Sequence, residues 1–394
     1  IGYFGQGVRI LVIDTGFDLT HEAFDSLHVI DQWDFINDDN NTANETESEI
    51  HDNQHNHGTS ILSIIGAYVP GTLIGPAFSS EYLLAKTEIV AEEIQQEEDN
   101  YVAALEWGEA NGADVVNSSL GYLDWYSYCD MDGNTAITTI GVDIAASLGL
   151  ACVTSAGNWA NEDPPEDPCE TLSYYISAPA DADSVIAVGA VSADSIITYF
   201  SSRGPTYDGR IKPEVSALGV GVAVANPAGG YSVFYSGTSA SSPLVAGAAA
   251  VLLSANPQWN NMEVREALMM TASQADMPNN DYGYGLVNIW SALFYNYSGS
   301  TITPKHPASF SLHTAYPNPF NPAVILSVSV VRLSLVNITI FDINGRLITT
   351  ICNEVLDVGN HQFIWDATAQ TNGIYIVRST AGQTALSQKI TLIK

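Results

Sequence analysis

Short, almost uninterrupted apolar runs rich in β-branched residues recur along the first half of the chain. They lie at residues 8–13, 113–117, 150–154 and 185–191. Runs of this length and composition are typical of strands buried on both faces of a parallel sheet. A helical pattern at residues 136–147 separates the second run from the third. This order predicts a parallel α/β sheet, with functional sites at the carboxyl ends of its strands.

The pattern changes in the last quarter of the chain. Residues 298–312 are polar and contain Gly, Ser, Thr and Pro, which is typical of a linker. Beyond them apolar and polar residues alternate, as at 336–340, and the Asn-Gly pair at 344–345 predicts a tight turn. Further short strands are predicted at residues 362–365, 374–378 and 388–393. We therefore predict an α/β domain at residues 1–297 and a small all-β Ig-like sandwich at residues 313–394.

The charge balance is strongly acidic, with 12 Lys and Arg against 44 Asp and Glu and a formal net charge of −32. This charge argues against nucleic acid and against anionic membrane surfaces as partners. Solubility is its simplest explanation, and calcium binding in the acidic runs at 38–52 and 92–99 is the alternative. Neither run has the spacing of an EF-hand loop, so calcium is a possible cofactor without assigned ligands, and no other cofactor is predicted.

None of the four cysteines forms a pair with metal-ligand spacing. Cys152 lies in an apolar run and is predicted to be a buried thiol. Cys129 and Cys169 lie in polar segments and could form a disulfide in an oxidising compartment.

No membrane span is predicted. The most apolar run, residues 245–253, is only about half the length that a span requires, and it predicts a buried helix. The chain begins at Ile1 and shows no signal peptide, so we interpret it as a mature or trimmed form.

Three short motifs carry candidate catalytic side chains. Asp14 ends the first apolar run, His57 opens a His-Gly-Thr-Ser sequence, and Ser239 precedes an Ala-rich helical pattern. Each has a structural alternative when taken alone. The aspartate suits a strand-end turn, the serine suits a helix cap, and the histidine could be solvated or bind a metal together with His51 and His55.

Together, in the chain order Asp, His, Ser, these motifs resemble the subtilase family, for which this order is already known. Four more segments resemble family landmarks: Asn-Ser-Ser-Leu-Gly at 117–121, Ser-Ala-Gly-Asn at 155–158, Phe-Ser-Ser-Arg-Gly-Pro at 200–205 and Lys-Pro-Glu at 212–214. The resemblance covers about residues 1–297 and implies a subtilisin-like fold. Ala240, Ser60 and Leu244 depart from the family, in which Met, His and His are common, but none of these changes removes a catalytic group.

The resemblance implies a secreted serine endopeptidase that cleaves extracellular proteins through an acyl-enzyme on Ser239. His57 would be the general base, Asp14 would orient it, and Asn158 would donate to the oxyanion. The alternative is a catalytically inactive binding protein on the same fold.

The family analogy also implies a substrate-binding strand. Ser119, Leu120 and Gly121 would pair with an extended peptide and, with Ala156 and Gly157, form walls of the pocket for the residue before the scissile bond. These residues carry no charge, which predicts an apolar or broad preference.

The end of the chain, about residues 313–394, resembles the sorting domain of type IX secretion in Bacteroidetes-like bacteria. The matching sequences are Tyr-Pro-Asn-Pro-Phe-Asn-Pro at 316–322, Phe-Asp-Ile-Asn-Gly-Arg at 341–346, Gly-Asn-His at 359–361 and Gly-Ile-Tyr at 373–375. This implies the type IX machinery as a partner and a secreted or cell-surface location reached through the periplasm. A carbohydrate-binding role that uses Trp365 is the alternative for this domain.

Overall fold

The chain divides into two compact units, residues 1–300 and 301–394, in a computed structural model. The structure describes residues 2–160, 169, 174–295, 310–313, 315, 318–330, 334–343, 345–356, 359–382 and 384–393. The predicted domain limits, residues 297 and 313, lie on either side of the division. Most of the predicted linker lies outside the described residues, as do Asn344 of the predicted turn and Tyr316 and Pro317 of the proline-rich sequence.

The first unit is built on a seven-stranded parallel sheet with the order β2-β5-β1-β6-β7-β8-β9. Small antiparallel pairs, β3 with β4 and β10 with β11, lie outside it. The strands are β1 (Arg9–Asp14), β2 (His28–Asp34), β3 (Tyr68–Val69), β4 (Leu73–Ile74), β5 (Glu81–Lys86), β6 (Val115–Ser118), β7 (Ala151–Ser155), β8 (Ile186–Val191), β9 (Val215–Leu218), β10 (Val220–Ala225) and β11 (Tyr231–Ser236). The predicted parallel α/β sheet is confirmed.

Helices cover both faces of this sheet because its strands are apolar on both sides. Ile10 and Val12 of β1 belong to one buried core, and Leu11 and Ile13 belong to the other. The helices are α1 (Glu47–Asp52), α2 (Asn56–Gly66), α3 (Gln96–Ala110), α4 (Ile137–Ser147), α5 (Thr238–Ala255), α6 (Asn261–Met270) and α7 (Ile289–Ala292). Residues of α2, α5 and α6 complete the first core, and residues of α3 and α4 complete the second.

Helix α5 contains the apolar run that predicted a buried helix. It is 18 residues long and apolar enough to cross a membrane by length and composition, but 72% of it is buried inside the protein. It packs against β6, β7, β8 and β9. The prediction of a core helix is therefore confirmed.

The cysteines of the first unit agree with the sequence predictions. Cys129 and Cys169 form a disulfide with their Cα atoms 5.2 Å apart. Cys152 is a buried free thiol whose pKa is raised by burial, which suits an unreactive core side chain.

The second unit consists of two antiparallel sheets, β12-β13-β16 and β15-β14-β17-β18, around one apolar core. The strands are β12 (Ser311–Leu312), β13 (Ala323–Val330), β14 (Ser334–Asp342), β15 (Leu347–Leu356), β16 (Gly359–Asp366), β17 (Gly373–Ala381) and β18 (Thr384–Leu392). This confirms the all-β prediction. The suggestion that Trp365 is exposed for carbohydrate is wrong, because it packs in the core at ring-centroid distances of 5.5 Å from Phe320 and 5.1 Å from Tyr375.

Candidate active site

The candidate residues gather at the carboxyl ends of three neighbouring strands. Strand β1 ends at Asp14, β6 leads into Ser119, and β7 ends at Ser155. In the parallel register Ile13 lies beside Ser118, which in turn lies beside Thr154. These ends therefore share one edge of the sheet, where parallel α/β folds place their sites.

Asp14 and His57 form a direct hydrogen bond. The Nδ1 atom of His57 lies 2.7 Å from Oδ1 of Asp14, which also accepts from the backbone N–H of Thr15 at 2.8 Å. Asp14 is completely buried, and its Oδ2 atom accepts from no residue that the structure describes. His57 stands in the first turn of α2, and Gly58 lets this turn approach β1. A Cβ atom at position 58 would collide with the carbonyl of Gly16 and crowd the Asp14 side chain.

Ser239 lies in the first turn of α5, where unpaired N–H groups and the helix dipole favour negative charge. Two residues earlier, Gly237 has a φ of +146°, a backbone conformation that residues with a side chain rarely adopt. The Ser239 hydroxyl donates to the carbonyl of Ser119 at 3.3 Å, and the Ser119 hydroxyl donates to the carbonyl of Ser239 at 3.1 Å. The serine is thus held against the segment that was predicted to bind substrate. This segment, Ser119–Gly121, follows the end of β6 at Ser118, so the structure does not place it in a strand.

The side-chain amide of Asn158 is oriented by Thr238. Its Oδ1 atom accepts from the Thr238 N–H at 2.8 Å and from the Thr238 hydroxyl at 3.1 Å. The acceptor end of the amide is therefore occupied, and Nδ2 is the end that can donate to a developing oxyanion.

One open cavity of about 340 Å³ brings these groups together. Its lining includes seven of the predicted site residues: His57, Ser239, Asn158, Ser119, Leu120, Gly121 and Gly157. Asp14 is buried behind His57. Ala156 is also fully buried among core side chains and is absent from the lining, so any contact of its side chain with substrate stays a prediction.

Comparison with known proteins gives the family. The model of the subtilase family matches residues 5–285. The chain belongs to the subtilase family. It is 33% identical over 293 residues to a subtilisin of Bacillus pumilus, covering 74% of this chain and 92% of the relative. It is also 33% identical over 294 residues to subtilisin E of Bacillus subtilis (strain 168), covering 74% and 67%.

Solved structures share the subtilase fold. A cold adapted subtilisin-like serine proteinase matches with a TM-score of 0.55 at 24% identity over 73% of this chain and 92% of its own. The protease domain of PatA matches with a TM-score of 0.59 at 23% identity over 74% and 96%. The subtilase model and the subtilisin relatives make the chain a serine endopeptidase.

The end of the chain has a separate match. Residues 314–394 fit the model of a secretion system C-terminal sorting domain. The chain is therefore a subtilase that carries a secretion sorting domain, and both predicted resemblances are confirmed.

The charge of Asp14 controls the basicity of His57. Burial lowers the pKa of His57, but the charge of Asp14 and the hydrogen bond that Asp14 accepts from His57 outweigh burial and raise the pKa above 6.5. A general base must be neutral to accept a proton. We expect kcat/KM of this subtilase to rise with pH through a midpoint above 6.5, and Asp14→Asn to lower that midpoint because only burial remains. Peptide hydrolysis measured across the pH range checks this, and identical midpoints would contradict it.

Removing the Asn158 amide should impair turnover more than binding. We expect Asn158→Ala to lower kcat by about 10²–10³, the effect known for the oxyanion donor of a subtilisin, with a small change in KM. Steady-state peptide hydrolysis measures both constants. Asn134→Ala, which removes an exposed amide away from the cavity, is the control and should leave kcat unchanged. A normal kcat in Asn158→Ala would remove this residue from the catalytic groups.

The cavity also contains charged residues that the family analogy did not name. Glu88, Glu93 and Glu97 line the same cavity as His57 and Ser239. The strand and turn residues assigned by analogy are indeed uncharged, but the segment that follows β5 supplies carboxylates from another direction. A partial signal was present, since the acidic run at 92–99 includes two of these three glutamates.

His51, His55 and His57 have different hydrogen-bond partners, which argues against a metal shared by all three. His51 is exposed and bonds Asp52 at 2.7 Å, and Nδ1 of His55 accepts from the Asn44 N–H at 3.1 Å. His57 bonds Asp14.

An acidic group of potential metal ligands lies at Asp34, Asp39 and Glu45, whose carboxylate oxygens lie within 4.8 Å of one another. Asp34 already pairs with Lys86 at 2.7 Å. An acidic cluster does not by itself assign an ion, so calcium binding stays a prediction without an assigned site.

Proposed function

We propose that this subtilase hydrolyses peptide bonds of extracellular proteins through an acyl-enzyme on Ser239. The observation that carries this proposal is the Asp14–His57 hydrogen bond of 2.7 Å, with His57 and Ser239 in the lining of one cavity. The Ser239 hydroxyl would attack the scissile carbonyl as His57 takes its proton. His57 would then return this proton to the leaving amine, and water would release the acyl group by the same route.

The hydroxyl must leave its present acceptor for this step. Its hydrogen bond to the Ser119 carbonyl is 3.3 Å long, and catalytic hydrogen bonds often tighten only when substrate is bound. Substrate pairing with the Ser119–Gly121 segment would place a peptide over this carbonyl and favour rotation of the hydroxyl toward His57. The N–H groups at the start of α5 and the Asn158 amide would receive the oxyanion.

The sorting domain supports a destination outside the cell. We infer that the type IX secretion machinery recognises the second unit and carries the enzyme from the periplasm to the cell surface or the medium. Protein substrates would then be met outside the cell.

Labelling with an organophosphonate serine probe tests the function against the alternative of an inactive binding protein. The probe forms a covalent bond to an activated serine oxygen. We expect one adduct, located at Ser239 by peptide mapping, and none on a folded Ser239→Ala variant. A folded wild-type protein that forms no adduct, or an adduct that persists in the variant, would favour the inactive protein.

A further inference from the structure

Three glutamates line the cavity without a cationic partner among the described residues. Glu88 lies two residues after β5, Glu93 lies in the loop that follows, and Glu97 lies in the first turn of α3. No ion pair among the described residues involves any of them. They differ from an acidic patch on the outer surface, because they line the cavity that contains His57 and Ser239.

Glu88 is held with one oxygen fixed. Its Oε1 atom accepts from the Thr87 hydroxyl and from the Tyr122 hydroxyl, both at 2.8 Å. No described residue donates to Oε2, although Glu88 is only 8% exposed and lines the cavity. The second oxygen is therefore the part of this carboxylate that a ligand in the cavity can reach.

The loop that carries Glu93 is fixed to the rest of the wall. The two oxygens of Glu97 accept from the N–H groups of Ile89 at 2.7 Å and Ile94 at 3.0 Å. The Val90 N–H donates to the side chain of Gln54 at 2.9 Å. These bonds hold the loop in one conformation, so the positions of the carboxylates in the cavity wall are fixed before a ligand binds.

The carboxylates interact unfavourably when no cation is present. Burial, and then the charge of Glu97, raise the pKa of Glu88 to about 8. Burial, and then neighbouring acidic groups, also raise the pKa of Glu93. A cation in the cavity would relieve both the repulsion and part of the cost of burial.

The position of Glu88 indicates which part of a bound peptide would carry the positively charged side chain. Ser119 lies beside Ser239, whereas Tyr122, three residues further on, bonds Glu88. A peptide paired with the Ser119–Gly121 segment would pass from the scissile bond near Ser239 toward Glu88. The carboxylates are thus displaced from the reacting carbonyl, on the side that binds residues preceding the bond.

We propose that Glu88, Glu93 and Glu97 form a subsite for a basic side chain of the substrate, on the amino side of the scissile bond and beyond the residue next to it. This proposal rests on the proposed function. The subtilase would then prefer peptides with arginine or lysine at this position, which deepens its function from general proteolysis to cleavage near basic residues. Glu88 and Glu93 would be specificity-determining residues, and Glu97 would position their loop.

Matched peptides that carry arginine or its neutral isostere citrulline at each position before the scissile bond test the proposal. Above pH 8, where Glu88 is ionised, we expect wild-type kcat/KM to favour arginine by about tenfold at one position beyond the residue next to the bond, since the carboxylates are partly desolvated. The double variant Glu88→Gln/Glu93→Gln should reduce this ratio to about one and still cleave the citrulline peptide. Glu109→Gln, an exposed change at the other end of α3, should keep the wild-type ratio.

The pH dependence of the arginine-to-citrulline ratio separates a charge effect from a change in shape. Titration of His57 cancels in the ratio. Besides Glu93 and Glu97, the titratable groups that interact with Glu88 are Tyr122 and Tyr101, whose pKa values are raised by burial, so both stay neutral. The ratio should rise in the wild type as pH passes about 8 and Glu88 ionises, and should lose this rise in Glu88→Gln.

The outcomes distinguish this proposal from the proposed function. Equal cleavage of both peptides at every position by the wild type would overturn the subsite alone. A preference that survives in the double variant would do the same. If the folded wild-type protein cleaves no peptide and forms no adduct with the serine probe, the proposed function and the subsite are both overturned.

Discussion

Replacement of His57 by Ala is expected to lower kcat on the order of 10⁶, the loss known for this change in a subtilisin. Without the imidazole the proton acceptor beside Asp14 is lost, and a neutral serine hydroxyl is a poor nucleophile. Steady-state hydrolysis of a peptide ester or amide measures the loss. Peptide binding should persist, because the Ser119–Gly121 segment and the carboxylates remain.

His51→Ala is the matched control. This histidine lies six residues earlier in the chain, its side chain is 87% exposed, and it bonds a different aspartate. We expect unchanged kcat and an unchanged thermal midpoint. If His57→Ala kept more than a small fraction of wild-type kcat while His51→Ala lost activity, the general base would have been assigned to the wrong histidine.

Asp14→Asn is expected to lower kcat about 10⁴-fold, as the equivalent change does in another serine protease. The amide can still accept from the Thr15 N–H, but it no longer stabilises the protonated imidazole and no longer selects its reactive tautomer. Hydrolysis at saturating substrate measures the effect, and a thermal melt verifies the fold.

Asp52→Asn is the matched control, because it removes the carboxylate from an aspartate–histidine pair that lies outside the candidate triad. Asp52 bonds His51 at 2.7 Å, the same distance as in the buried pair, but its partner is exposed. A similar fall in kcat for both aspartate variants, or none for either, would contradict a special role of the buried pair.

The interior strands β1, β6, β7 and β8 were predictable because their residues are apolar and buried on both faces. The apolar runs at 8–13 and 185–191 correspond to β1 and β8, whose residues are almost all buried. Edge strand β2 was not predicted, since its mixed burial gives the sequence no regular pattern. Strand β5 was also missed, because charged Glu81 and Lys86 bound its short apolar run.

The candidate site was predictable as a set of residues but not in its contacts. The resemblance supplied Asp14, His57 and Ser239, yet nothing in the sequence indicates that the Ser239 hydroxyl donates to the Ser119 carbonyl. Glu88 has no motif. It reaches the cavity because Tyr122, thirty-four residues away in the chain, holds its carboxylate.

A double-variant comparison tests most directly whether Ser239 and His57 act as one unit. The kcat of Ser239→Ala, His57→Ala and the double variant would be measured with one peptide under one condition. Residues that act in the same step show strongly non-additive losses, so the double variant should be no slower than either single variant, at about 10⁶ below wild type. Losses that multiply, or a Ser239→Ala variant as active as the wild type, would contradict the joint action of these two side chains.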